Sequence, residues 1–426
     1  MLNRTEAPSI KDAIEFDLHL KPYQKMVLDN GVEVYSIDAG AQDVVQLEMI
    51  FYAGDSYQKN NGVAAATSYM LKNGTSTKTA FEINEHFEYY GAYCNRGCHH
   101  ETSSVSLHTL SKHLEVVLPV IKEMITDSIF PEEELNIYKQ NSKQKLAVSL
   151  QKCDVVANRL IDAYLYGEAH PYGKYIVAED FDALTTAQLK DHFQQYYLNG
   201  NCVIFVAGKL PENLYQLLNE QFGKLTLNPG IKQPKTEKAL PVEQKKYSIS
   251  NDVNGVQGAI RIARPFPNRH HPDFMPMMVL NTVFGGYFGS RLMDNIREDK
   301  GYTYGIHSYV QSHFQDTALL ISTEAGKDVT GATIEEVYKE MEILREELID
   351  DEELLLIRNY LIGTILGDLD GPFHIIGRWK NIILNNLDEQ YFYDTIKMIK
   401  NISAEELRAL AIKYLQPEDF YELVVI

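Results

Sequence analysis

The chain has 426 residues, 40 of them basic and 59 acidic, for a formal net charge of −19. That charge repels phosphate and argues against a nucleic-acid partner, and 45 % hydrophobic residues with 27 Tyr and 17 Phe exclude a largely disordered chain. No stretch approaches the ~18–20 apolar residues of a membrane span, and four cysteines (Cys94, Cys98, Cys153, Cys202) are too few for a disulfide framework. With no apolar leader visible at the N-terminus, a reducing, cytoplasmic compartment is expected, or the periplasm for a chain whose leader has been removed.

In chain order, Asn30 to Asp38 reads as a turn leading into a strand, and Val44 to Gly54 alternates toward a second strand. Helical patterns come next, at Gly62 to Lys72, Ala80 to Tyr90 and Leu110 to Thr126. A polar helix starts behind Phe130-Pro131, with Glu132, Glu133 and Glu134 in its first turn, where the helix dipole favours anions. Another helix begins at Thr186, and Asn201 to Gly208 reads as a buried strand. The composition then changes: Pro229, Pro234 and Pro241 are interspersed with Lys232, Lys235, Lys238, Lys245 and Lys246, the signature of a linker.

The second half of the chain repeats the first. Leu135 and Leu354 are 219 residues apart, as are Lys139 and Arg358, and Arg159 and Arg378; Tyr196 and Tyr414 are 218 apart. Several matches at a near-constant offset indicate an internal duplication. The expected fold is α+β, two homologous halves with mostly antiparallel sheets flanked by helices: residues 1–224, a linker at 225–246, and residues 247–426.

Neither H-E-x-x-H nor H-x-x-E-H occurs among the 13 histidines. Glu82, Glu85 and His86 share a helix face, for which a solvated polar surface is the plainer reading. Cys94 to Glu101 is rich in soft ligands, but no second cysteine pair completes a zinc site. No G-x-S-x-G elbow is present, and Gly285 to Ser290 lacks the lysine of a phosphate loop, leaving a tight turn or a close approach to a peptide backbone. The remaining candidate is the run Arg297 to Tyr304. Gly301 ends a helix, and the turn could bring the Arg297 guanidinium beside the Tyr304 phenol, both suitable donors to a peptide carbonyl or oxyanion. The alternative for these two residues is a surface ion pair and a half-buried tyrosine.

Taken together, several short motifs resemble the pitrilysin/insulysin superfamily of zinc peptidases, in particular its short, processing-peptidase-like subunits. They are Tyr52-Ala-Gly54, Gly62-Val-Ala64 with Gly74-Thr75, Gly91-Ala92, Phe130-Pro-Glu-Glu133, His170-Pro-Tyr-Gly173, Val206-Ala-Gly208, Ser290-Arg-Leu292 and Gly301-Tyr-Thr-Tyr304. The resemblance implies H-x-x-E-H on the helix after Gly62, but the first histidine position is Ala65, the glutamate position Ser68 and the second histidine position Tyr69. The third ligand would fall around Gln144-Lys145-Leu146, where there is no acid. A methyl, a hydroxyl and a phenol cannot hold Zn²⁺ at neutral pH. Two-subunit members divide the labour, one subunit supplying zinc and base and the other an Arg/Tyr pair seven residues apart, the spacing of Arg297 and Tyr304.

The implied function is that of a zinc-free subunit of a heterodimeric metalloendopeptidase. This chain would hold no cofactor, its homologous H-x-x-E-H-bearing partner would hold the zinc, and Arg297 and Tyr304 would act in trans on peptide substrates. His170 is expected to be structural. The alternatives are a structural core-like protein of this fold or a homodimeric peptide-binding protein with no catalytic role.

Overall fold

The computed structural model describes residues 11–230, 239–252 and 254–426; the middle of the 225–246 stretch therefore lies outside the described residues. Six strands form the first sheet: β1 (Gln24–Val27), β2 (Glu33–Asp38), β3 (Val44–Phe51), β4 (Tyr93–Cys98), β5 (Ser103–Leu110) and β6 (Cys202–Gly208). Five form the second: β7 (Lys246–Ile249), β8 (Gln257–Phe266), β9 (Thr303–Ser312), β10 (Thr317–Gly326) and β11 (Tyr421–Val425). The strand orders are β1-β2-β6-β3-β5-β4 and β7-β11-β8-β10-β9. Apart from the extra β1, the two sheets are one topology repeated. Each has a single parallel pairing, β2 with β6 and β7 with β11, and is otherwise antiparallel.

The duplication extends to the helices. Glu132–Ser149 and Asp351–Gly367 start 219 residues apart, as do Cys153–Tyr166 and Pro372–Leu384. Even the helix starts repeat: Thr185 and Ser403, 218 apart, each close a capping box with the residue three positions on, Gln188 and Glu406.

Each strand places alternate residues on opposite faces. On one face of the first sheet, Val45, Leu47, Met49 and Phe51 join Ile204 and Val206 in a core with that half's own helices, Val63–Met70, Ala80–Tyr89, Leu114–Thr126 and Leu214–Phe222. On the other face, Ile50, Val203, Phe205 and Ala207 are covered by Ile375, Ile376, Trp379 and Ile383 of helix Pro372–Leu384, which belongs to the second half. The exchange is reciprocal. Helix Cys153–Tyr166 of the first half sets Ala157, Ile161 and Leu165 against Ala259, Ala263, Leu320 and Leu423 of the second sheet. Central strands covered on both faces read as continuous apolar runs, which is why Cys202-Val-Ile-Phe-Val-Ala-Gly208 is buried throughout.

Polar contacts lock the crossing. Trp379 Nε1 donates to the Lys21 carbonyl at 2.8 Å, and Lys380 pairs with Glu48 at 2.6 Å. The N-terminal segment also docks on the second half, with Ile14 N–H on Asn359 Oδ1 at 3.1 Å and Lys400 Nζ on the Phe16 carbonyl at 2.8 Å. Among the described residues no helix is long and apolar enough to cross a membrane.

Candidate functional site

The helix on which the family resemblance places the degenerate zinc motif spans Val63–Met70 and packs against β4 and β5. Ala65 is exposed, and its methyl offers no lone pair. Ser68 is buried and spends its hydroxyl on the Gly97 carbonyl at 3.1 Å. Tyr69, 43 % exposed, packs its ring against Tyr138 with centroids 4.9 Å apart. Tyr138 lies on helix Glu132–Ser149, which also holds Gln144-Lys145-Leu146 at the vacant third-ligand position, and it presents a phenol whose pKa burial pushes up to about 12. These side chains do not fit a zinc ion, since none is an imidazole, thiolate or carboxylate.

The other ligand-like clusters are occupied by structural work. Glu82 closes a capping box with Thr79, which donates its N–H to the carboxylate at 2.8 Å, while His86 Nε2 meets the Val116 carbonyl at 3.0 Å. Cys94 and Cys98 lie on β4, and burial pushes their thiols up to about 11 and about 12, so neither is a thiolate near neutral pH. Among the described residues no three His, Cys, Asp or Glu side chains are grouped so as to hold a metal ion.

The glycine-rich run behaves as a close-packed turn. A Cβ on Gly285 would come within 2.6 Å of the Ser308 side chain on β9, so the close approach is to the protein's own strand. The chain then passes Arg291, which grips Glu353 with Nε at 3.0 Å and Nη2 at 2.7 Å. It continues into the π-helical turn Met293–Asp299 and reverses at Gly301, whose φ of +66° suits glycine.

That reversal brings Arg297 and Tyr304 together. Arg297 Nε donates to the Tyr304 backbone carbonyl at 2.9 Å, and the guanidinium lies 5.8 Å from the Tyr304 ring centroid. Phe288 flanks the guanidinium, its ring 4.8 Å away, and Glu298 accepts from Nη1. The Tyr304 side chain is 88 % exposed on the edge strand of the second sheet, with its hydroxyl free to meet a ligand. The arrangement is a positioned cation and a solvent-facing donor side by side, which is what recognition of a polarised carbonyl requires.

His170 lies elsewhere, in the junction between halves. Tyr172 N–H donates to His170 Nδ1 at 3.2 Å, and the Tyr172 hydroxyl donates to buried Glu101, which also accepts the Phe314 N–H at 3.2 Å. The Tyr172 ring stacks on His313 at 4.1 Å. Burial, together with the charges of His100 and His170, holds His313 down to about 3, while burial pushes Asp162 up to about 6. His100 is held above its ordinary value: burial opposes its charge, but its 3.0 Å contact with Asp55 prevails. The motif His170-Pro-Tyr-Gly173 thus pins the two halves together. No sequence signal marks the meeting of Tyr172 with His313, nor Arg96, a half-buried guanidinium 5.3 Å from the Tyr69 ring.

Comparison with known proteins fits this geometry. Residues 33–172 match the family model described as "Insulinase (Peptidase family M16)", and residues 183–361 match "Peptidase M16 inactive domain". The chain belongs to this pitrilysin/insulysin superfamily, peptidase family M16. It is 25 % identical over 370 residues to the "Uncharacterized zinc protease YmxG" of Bacillus subtilis, an alignment covering 84 % of this chain and 87 % of that protein. Among solved structures, a peptidase M16 inactive domain from Pseudomonas fluorescens superposes with a TM-score of 0.84 at 24 % identity, covering 95 % of this chain and 98 % of that one. A protease from Helicobacter pylori gives 0.85 at 17 % identity, covering 96 % and 100 %. These structures share the two-sheet fold.

Proposed function

We propose that this chain is the zinc-free subunit of a two-subunit metalloendopeptidase. Its homologous partner, bearing H-x-x-E-H, supplies the metal and the general base; this chain supplies substrate binding and oxyanion stabilisation. The observation that carries the reading is the Arg297–Tyr304 pair, held at 2.9 Å through the strand backbone with the phenol facing solvent. Arg297 would hold the substrate carbonyl through its planar fork. The Tyr304 hydroxyl would donate to the same oxygen as negative charge builds on it, a contact that strengthens only in the transition state.

The test searches the same genome for a homologue bearing H-x-x-E-H, mixes it with this chain and follows cleavage of a quenched peptide library. Each subunit alone should be silent and the mixture active. Tyr304→Phe should then lower kcat by roughly 10²–10³-fold, about 2.7–4 kcal/mol, with an unchanged melting temperature. Arg297→Ala should raise KM as well, and Arg297→Lys should restore little. Turnover within about threefold of the parent for Tyr304→Phe, far short of the loss of an oxyanion donor, would reject the catalytic role and leave a structural one.

A further inference from the structure

The helix that offers no metal ligand faces a cation of the protein's own. Arg96 lies on β4, the edge strand of the first sheet, two residues beyond buried Cys94 and therefore on the same face. Its guanidinium stacks 5.3 Å from the ring of Tyr69, the residue at the second histidine position. No carboxylate pairs with it among the described residues, and its Nε is buried without a hydrogen-bond partner. A second cation, Lys72, stands just past the same helix, with Nζ 3.4 Å from the Cys94 carbonyl and 5.4 Å from the Phe87 ring. Burial, with Arg96 adding to it, holds Lys72 below the ordinary lysine value against smaller opposing contributions from Cys94 and Glu88.

Two neighbouring, partly desolvated cations without an ion-pair partner among the described residues are conspicuous in a chain of net charge −19. Desolvated charge is costly unless an opposite charge or hydrogen bonds compensate it. A guanidinium fork matches a carboxylate in shape, and the 43 % exposed Tyr69 leaves the site open at the surface. We propose that Arg96, with Tyr69 and Lys72, forms a carboxylate-binding site for a peptide at the place where catalytic members of the family hold their metal. The proposal rests on the peptidase-subunit reading only in supposing that peptides reach this surface. The carboxylate would be either the peptide's C-terminus or an Asp or Glu side chain.

Fluorescence anisotropy with the isolated full chain tests this directly. The probes are tetramethylrhodamine-labelled, Ala/Ser-rich decapeptides: one with a free C-terminus, its C-terminal amide, an amide containing one internal Glu, and the Gln counterpart of that peptide. At least one carboxylate-bearing member should bind about tenfold or more tightly than its neutralised twin, which also identifies the carboxylate recognised. Arg96→Gln should remove that difference, and Arg96→Lys should keep only part of it because an ammonium lacks the fork. Melting temperatures of both variants separate lost binding from lost folding, and if Arg96→Gln does not fold, Tyr69→Phe and Lys72→Gln carry the test. Equal binding of charged and neutral peptides, no binding of any, or an undiminished preference in a folded Arg96→Gln protein would overturn the proposal. Because no turnover is measured, a failure here leaves the Tyr304 experiment untouched, and a failure there leaves this one untouched.

Discussion

The two halves place an arginine over a tyrosine at corresponding edges of the same topology, and they treat the pair in opposite ways. In the first half Arg96 on β4 lies 5.3 Å from Tyr69, half-buried, its Nε without a hydrogen-bond partner among the described residues. In the second, Arg297 lies 5.8 Å from Tyr304 at the start of β9, tied to the strand backbone, and the tyrosine is 88 % exposed against 43 % for Tyr69. A duplicated fold thus fixes where a site can form, between the edge strand and the helices before it. The chemistry placed there comes from a few side chains on each copy.

The two exchanged helices differ in how deeply their corresponding side chains are buried. Trp379, 4 % exposed, fills the first sheet's outer face and donates to Lys21, whereas its counterpart 219 residues earlier, Leu160, is only partly buried. Trp379→Ala should cost about 3–5 kcal/mol in denaturant unfolding. Leu160→Ala should cost only about 1–2 kcal/mol. Equal losses would mean that the two crossings are energetically equivalent.

A smaller effect comes from charge. Asp162 on the first exchanged helix corresponds to Asn381 on the second. Burial pushes Asp162 up to about 6, from an ordinary value of 3.8. The folded chain therefore holds the proton more tightly than the unfolded chain. The stability this contributes is fully present below about pH 4 and is lost as the pH rises through about 6. Asp162→Asn, which makes the two helices alike, should gain about 1–2 kcal/mol near pH 8, shrinking toward zero near pH 4. Unfolding curves at the two pH values check it, and a pH-independent difference would contradict the assignment.

The smallest expected effect is none. The zinc content of the purified chain should be unchanged by Tyr69→Ala, measured by elemental analysis, because no side chain on that helix is a zinc ligand. Zinc lost on that substitution would restore a metal role to the first half.

Much of this architecture was legible in the sequence. The offset between Leu135 and Leu354 marked the duplication, and the helix expected from Thr186 forms with Thr185 as its cap. The glycine between Arg297 and Tyr304 marked the turn at Gly301 that brings the two residues near each other. What the sequence did not reveal was which sheet each helix covers. An apolar stripe on Pro372–Leu384 or Cys153–Tyr166 specifies that a face is buried, but it carries no address. Arg96 was hidden for a related reason. In the run Cys94-Asn-Arg-Gly-Cys98 nothing marks the arginine, and only the packing of β4 against Tyr69 shows that no carboxylate pairs with it among the described residues. The junction at Tyr172 and His313 was equally hidden, since its members are 141 positions apart in the chain.

The reciprocal helices also set an order of events during synthesis. The outer face of the first sheet, with Phe205 and Val203 at its centre, is covered by residues beyond position 372. A ribosome therefore completes the first half long before the helix that shields it exists, and that apolar surface must wait in the cell for most of the chain to emerge. Nascent chains of this protein should dwell on holdase chaperones until the last helices dock, and separately made halves should be soluble only when expressed together.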